Sequence, residues 1–125
     1  MRSYKKVVAW QRADHLTIEV YRTTREFPRE EVYGLTAQIR RAAYSVPANI
    51  AEGAARETDA DYLRFLHIAR SSLSETEYFL HLAHNLKYLS DDEYRTLTVL
   101  VNQTFAALHG LIRTISQETQ KLISP

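Results

Sequence analysis

The chain has 125 residues, of which 45% are hydrophobic and 25% charged, and its formal net charge is +1. Such a length and composition predict one globular domain with a core of its own. The absence of cysteine excludes disulfides, thiolate metal sites and cysteine nucleophiles.

The first half of the chain carries two stretches with helical periodicity. Apolar residues from Ala9 to Val20 recur every three or four positions, which predicts a first helix at about residues 8–26. Pro28 should end it, because proline disfavours a helical backbone at the preceding residue. A second helix is predicted at about residues 35–55. Its apolar stripe consists of Leu35, Ile39, Ala42, Val46, Ile50 and Gly53.

Two capping signals mark the starts of the later helices. Thr58, with Asp61 three residues on, predicts the N-cap of a helix at about residues 59–86. Ser90 and Glu93 form a capping box before a helix at about residues 91–119, whose apolar residues keep bundle spacing throughout. The short connections suit antiparallel neighbours. The prediction is an all-α protein, an antiparallel up-down-up-down four-helix bundle that forms a single domain over residues 1–125.

Two of these helices carry more apolar surface than one bundle face requires. Alanines and Tyr44 lie beside the main stripe of the second helix. We therefore expect this helix to be sandwiched, either centrally in the bundle or at a subunit interface. A further apolar line on the third helix predicts a face for another subunit. That line consists of Ile68, Ser72, Phe79, Leu82 and Leu86.

A polar line also runs along the second helix, at steps of three and four residues. Its members are Gln38, Arg41, Ser45, Asn49, Glu52 and Arg56. One interpretation is a structural polar seam of Gln38, Ser45, Asn49 and Glu52 that fixes helix register. Pro47 would kink the helix within it and free the carbonyl of Ala43. The second interpretation is a ligand or nucleic-acid contact. Catalysis by Glu52 is disfavoured, since no nucleophile or second carboxylate lies at a useful spacing.

Positive charge is concentrated towards the N-terminus. Residues 1–30 contain seven lysines and arginines against four acids. Such a segment can meet phosphate backbones, although a solvated helix face of mixed charge gives the same pattern. The candidate nucleic-acid-binding residues are Lys5, Lys6, Arg12, Arg40, Arg41 and Arg56.

Metal chemistry has one candidate motif. Glu77, His81 and His84 share one face of the third helix. The other predicted helices supply no matching Glu-x-x-His partner, which di-metal bundles need. We therefore predict a solvated face, with no metal site and no cofactor.

A long motif gives the chain a family resemblance. The run YGLTAQIRRAAYSVPANIAEG, at residues 33–53, closely resembles the signature of the bacterial four-helix bundle family named for 23S rRNA intervening-sequence proteins. Further segments match in order and extend the resemblance over nearly the whole chain. They are VAWQRADHLTIEVY (8–21), FP (27–28), YLRFLHIARSSLSETEYFL (62–80), LKYLSDDEY (86–94) and HGLI (109–112).

The resemblance implies a ring-shaped homo-oligomer, a pentamer. Since the residues show no catalytic arrangement, we expect no enzymatic activity. The chain also looks similar to accessory proteins of diversity-generating retroelements, which engage reverse transcriptase and nucleic acid. The expected partners are thus a second copy, RNA or DNA, and a reverse transcriptase or other protein. The alternative is a protein-interaction scaffold that binds no nucleic acid. Because no apolar run reaches membrane-span or signal-peptide length, we expect a cytoplasmic location and no membrane partner.

Overall fold

A computed structural model describes residues 2–123, with side chains through Lys121. Its helices are α1 (Val8–Thr24), α2 (Leu35–Ala54), α3 (Asp59–Asn85) and α4 (Asp91–Ile123). Short 3₁₀ turns at Tyr4–Lys6 and Arg29–Glu31 precede α1 and α2. No strand occurs among the described residues, which confirms the all-α class. None of the described helices combines the length and apolar character that crossing a membrane requires.

Consecutive helices pack side by side and run in opposite directions. Each helix contacts the next along the chain, and α4 closes the square against α1. Between α1 and α2, Thr24 meets Arg40 whereas the earlier Thr17 meets Ala43, so the two helices are antiparallel. The connections before α3 and α4 have only four or five residues. They reach at most about 18 Å, which is shorter than either of the helices that follow, so these helices also reverse direction.

The observed helix ends differ from the predicted ones by a few residues. α1 ends at Thr24 rather than near residue 26, because Phe27 is buried against the core just before Pro28. α4 continues to Ile123, past the predicted end near residue 119. No residue from 119 to 123 interrupts a helix, because this segment contains neither glycine nor proline.

Both predicted caps are confirmed. The Thr58 hydroxyl accepts the Asp61 N–H at 3.1 Å. At the start of α4 the Glu93 N–H donates to the Ser90 hydroxyl at 3.1 Å, and the Ser90 N–H donates to the Glu93 carboxylate at 2.9 Å. These bonds satisfy backbone donors that have no partner within the helix. The polar side chains at the two turns therefore set where α3 and α4 begin.

Pro47 lies within α2, and the helix continues through it. A proline has no N–H, so the Ala43 carbonyl one turn earlier loses its usual partner. The Thr17 hydroxyl of α1 lies 3.0 Å from that carbonyl oxygen and 2.8 Å from the carbonyl oxygen of Ala13, as a donor to both. A side chain from the neighbouring helix therefore compensates for the proline and ties α1 to α2 at this level.

We expect Thr17→Val to lower the free energy of unfolding by about 1 kcal/mol, because the shape is kept while the buried Ala43 carbonyl loses its donor. Thr23→Val is the matched control, since the Thr23 hydroxyl donates only within α1, to the Glu19 carbonyl. Urea unfolding followed by circular dichroism compares the two variants. Equal stability losses would contradict the special role of Thr17.

The additional apolar line on α3 is not a free face. Ser72 is buried against α2, where its hydroxyl donates to the Ser45 hydroxyl at 3.0 Å. Phe79 and Leu82 pack against the bundle's own core. Only Ile68 and Leu86 remain exposed. The expectation that this line faces another subunit is therefore wrong for three of its five residues, which pack inside the bundle of the same chain.

The central position considered for α2 is also wrong. α2 packs against α1 and α3, yet its outer side carries Ala37, Tyr44 and Ala48, which are exposed. Each helix of a square bundle has two neighbours and one open side, and α2 does not depart from that rule.

Candidate nucleic-acid interface

The polar line on α2 follows its boundary with α3. At its middle, the Asn49 amide donates to the Ser45 carbonyl at 2.7 Å and to the Ser45 hydroxyl at 3.0 Å. The Ser72 hydroxyl of α3 joins the same cluster. These polar groups satisfy one another at a half-buried position, so the middle of the line joins the two helices rather than presenting free donors.

The two ends of the line are exposed to solvent. At one end Arg41 hydrogen-bonds Gln38 and forms an ion pair with Glu75 of α3 at 3.0 Å. At the other end Glu52 pairs at 2.7 Å with Arg56, which follows the end of α2. Arg41 thus pairs with a residue of another helix, whereas Glu52 pairs with a residue four positions further along the chain.

The six candidate basic residues do not converge on one surface. Arg40 lies near the start of α2, and Arg56 follows its end, so about 24 Å of helix axis separates them. Lys5 and Lys6, exposed in the first 3₁₀ turn, lie at the Arg56 end of the bundle, where that turn contacts α2. Arg12 points towards α4, where it donates to Gln103 at 3.3 Å.

Arginines at the Arg56 end alternate with aromatic rings. The Arg56 and Arg64 guanidinium groups lie 4.6 and 4.4 Å from the Phe65 ring centre, and Arg2 lies 4.9 Å from that of Tyr62. Neither Arg2 nor Arg64 was among the residues selected from the sequence, and the contact of Arg2 with the distant Tyr62 leaves no local signal.

Carboxylates accompany the positive charge at this end. Asp59 pairs with Arg2, Asp61 with Arg64 at 3.3 Å, and Glu52 with Arg56. These arginines therefore bring little net charge to the surface, and their ion pairs would compete with a phosphate ligand.

At the opposite end, Arg40 has two arginines as neighbours. Arg25 and Arg29, from the segment between α1 and α2, line the same cleft as Arg40. Sequence analysis included them only in the general excess of positive charge near the N-terminus. A signal was present in the REFPR run at residues 25–29, because Pro28 forces a turn between two arginines.

Two histidines of the Glu77, His81, His84 group make contacts within the chain. His84 lies 2.8 Å from Asp91 through its Nε2 atom and stacks on the Tyr94 ring at 4.2 Å between centres. The His84 hydrogen bond lowers the pKa of the Asp91 carboxyl below its usual value. His81 contacts Asn85. Within residues 2–121, no group of three histidine or carboxylate side chains is arranged to hold a metal ion.

Comparison with known proteins gives a family and a fold. Residues 5–110 match the family model described as 23S rRNA-intervening sequence protein. The fold is similar to a crystal structure of a protein with unknown function from the S23 ribosomal protein family of Bacteroides thetaiotaomicron VPI-5482. The TM-score is 0.78 at 23% identity, with 85% of this chain and 96% of that chain covered. No curated protein matches the chain.

Proposed function

Since the chain belongs to the 23S rRNA-intervening sequence protein family, we propose that it is a non-enzymatic, homo-oligomeric helical-bundle adaptor that binds nucleic acid through basic side chains. We further propose that the oligomer is a pentameric ring. The observation that carries the proposal is the outer face of α2, which the bundle of a single chain leaves uncovered. We define the outer α2 face by Ala37, Tyr44, Ala48, Ala51 and Ala55.

The outer α2 face combines one exposed aromatic side chain with small apolar ones. Tyr44 is 48% exposed and is surrounded along the helix by alanines, which allow another helix to approach closely. Charges lie at its edges, where Arg41 and Glu52 are exposed. A ring also needs a different patch to receive this face, because its interfaces are heterologous. On α3, Ile68 and Tyr78 are exposed apolar side chains, and we assign them to the receiving surface.

The nucleic-acid part of the proposal rests on local rather than net charge. The chain carries only one net positive charge, but repetition around a ring multiplies each cationic cluster. Non-specific binding to nucleic acid depends on the number of phosphates that such clusters neutralise. The cleft that Arg25, Arg29 and Arg40 line has no carboxylate in its walls.

A specific observation favours a second candidate function, a protein-interaction scaffold without nucleic-acid binding. Two of the six predicted basic residues, Arg41 and Arg56, are already paired with carboxylates. Arg40 and Arg56 also lie at opposite ends of α2. A scaffold would keep the outer α2 face and bind no RNA or DNA.

The oligomer is tested with Ala48→Arg, which places a charge in the centre of the outer α2 face. Ala106→Arg is the matched control, because Ala106 is an exposed alanine within α4. Light scattering should give about five times 14.5 kDa for the wild type and the control, and a mass near 14.5 kDa for Ala48→Arg. A monomeric wild type would overturn the proposal. An Ala48→Arg protein with the mass of the wild-type oligomer would show that the outer α2 face is not part of the interface.

Nucleic-acid binding is tested by fluorescence anisotropy with a labelled single-stranded RNA at several salt concentrations. Phosphate contacts should make the affinity fall steeply as salt rises. If the wild-type protein forms the ring but binds neither this RNA nor a labelled DNA duplex, the result supports the scaffold and refutes nucleic-acid binding.

A further inference from the structure

The segment between α1 and α2 encloses a cleft of about 280 Å³ at the end of the bundle. Residues from the end of α1, the Pro28 turn and the start of α2 form its walls. They are Thr24, Arg25, Phe27, Pro28, Arg29, Val32, Thr36 and Arg40. We call this space the arginine cleft.

Every charged residue in the walls of the arginine cleft is an arginine. The four other clefts that we compared each contain at least one carboxylate, such as Glu57 or Asp91. Glu31 lies close in sequence, but its two oxygens accept from the Leu35 N–H and the Tyr88 hydroxyl, at 3.1 and 3.0 Å. Glu26 and Glu30 are exposed and are absent from the walls. The cleft is therefore a local concentration of positive charge in a nearly neutral chain.

One of the three arginines is held in position before any ligand arrives. The Arg40 Nε donates to the Thr24 hydroxyl at 2.8 Å, and the guanidinium lies 4.6 Å from the Tyr21 ring centre. The Thr24 hydroxyl in turn donates to the Val20 carbonyl at 2.8 Å. These contacts reduce the side-chain entropy that Arg40 loses on binding. Arg25 and Arg29 are exposed on the other walls and can close on an anion from solvent.

A buried hydroxyl provides an independent indication of a ligand. Thr36, in the wall of the cleft, is only 5% exposed, yet its hydroxyl has no hydrogen-bond partner. Four other buried threonines donate to the carbonyl one helical turn earlier: Thr17, Thr24, Thr76 and Thr104. An unpaired buried hydroxyl is costly. A ligand oxygen that accepts a hydrogen bond from Thr36 would remove that cost.

We propose that the arginine cleft binds a phosphate group, and that in the working protein this group belongs to the backbone of a nucleic acid. Guanidinium groups recognise phosphate oxygens with paired N–H donors, and a threonine hydroxyl adds a further donor. The inference rests on the proposed nucleic-acid function, and it names the group that is bound and the residues that bind it. It adds Arg25 and Arg29 to Arg40, and it assigns no contact to Arg41 or Arg56.

The test compares two doubly substituted proteins of equal charge. Arg25→Gln/Arg29→Gln removes the two exposed arginines of the cleft. Arg95→Gln/Arg113→Gln removes two exposed arginines of α4 and serves as the control. Anisotropy with a labelled single-stranded RNA should show an affinity loss of at least about tenfold for the cleft variant. The salt slope should also fall by about 1.4 for two lost contacts to a single strand. The control should lose less affinity than the cleft variant, and its salt slope should fall by less.

A second arm uses inorganic phosphate and reads the Nε–Hε signals of the arginines by NMR. Phosphate should shift the Arg40 signal in the wild type and much less in the cleft variant. Phosphate shifts at the cleft without any RNA binding would support a phosphate site while refuting the nucleic-acid function. RNA binding that the cleft variant retains at the level of the control would overturn the site and leave the proposed function standing. Equal phosphate-induced shifts of the Arg40 and Arg113 signals would also overturn the proposed phosphate site.

Discussion

Gly53→Ala is expected to lower the free energy of unfolding by about 3 kcal/mol, the upper end of the usual cost of overpacking a core. Gly53 is buried near the end of α2, where α3 passes close to its backbone. A Cβ atom there would lie 2.8 Å from the Phe65 Cβ and 2.9 Å from the Tyr62 ring. It would also lie 3.2 Å from the Tyr62 backbone oxygen, which cannot turn away as a side chain can. The two helices would have to separate at this crossing.

Gly110→Ala is the control for this prediction. Gly110 is also inside a helix, but a Cβ added there would meet nothing within 4 Å. Alanine favours the helix over glycine by about 1 kcal/mol, so Gly110→Ala should stabilise the protein. Urea unfolding of both variants measures the contrast. Two stabilised variants would show that α2 and α3 are not in close contact at Gly53.

Leu73→Ala is expected to lower the free energy of unfolding by about 2–5 kcal/mol, since it removes a fully buried side chain and leaves a cavity. Leu73 of α3 lies in the hydrophobic core and has 0% exposure. The loss comes from the transfer of the removed methyl groups together with the empty space that remains. Thermal and urea unfolding should agree in sign and in approximate size.

Leu86→Ala gives the comparison within the same region. Leu86 is the C-cap residue of α3 and belongs to the further apolar line, but it is 45% exposed. Its replacement in the isolated chain should cost less than about 1 kcal/mol, because most surface substitutions have small effects. A loss as large as that of Leu73→Ala would mean that an interface in the oligomer covers Leu86.

The helices and their caps were predictable because their causes are local. Helical periodicity and the polar side chains of Thr58, Ser90 and Glu93 act within a few residues of the backbone they satisfy. The stop before Pro28 is local in the same way. The end of α4 was predicted too early, since the sequence there lacks any residue that must end a helix. The Ala43 carbonyl freed by Pro47 was also predictable, but its partner Thr17 was not, because that contact joins two helices.

The candidate site was predictable only in part. Arg40 was among the residues selected from the sequence, and it lies in the arginine cleft. Of the other selected arginines, Arg41 is paired with a carboxylate of α3, Arg56 lies at the far end of the bundle, and Arg12 of α1 points towards α4. Spacing along one helix reports which side chains share a face. It does not report which carboxylates a neighbouring helix brings to that face, as Glu75 of α3 does for Arg41.

The sequence by itself determined the helical class, the turns and the division of each helix into apolar and polar sides, because these depend on backbone preferences and on periodicity over a few residues. Only the tertiary structure decided which apolar face of α2 is buried and which arginines form ion pairs with carboxylates. It also decided where Arg25, Arg29 and Arg40 meet. Those properties depend on distances between segments that are far apart in the chain. The electrostatic and packing energies that govern them are set only once the helices are side by side.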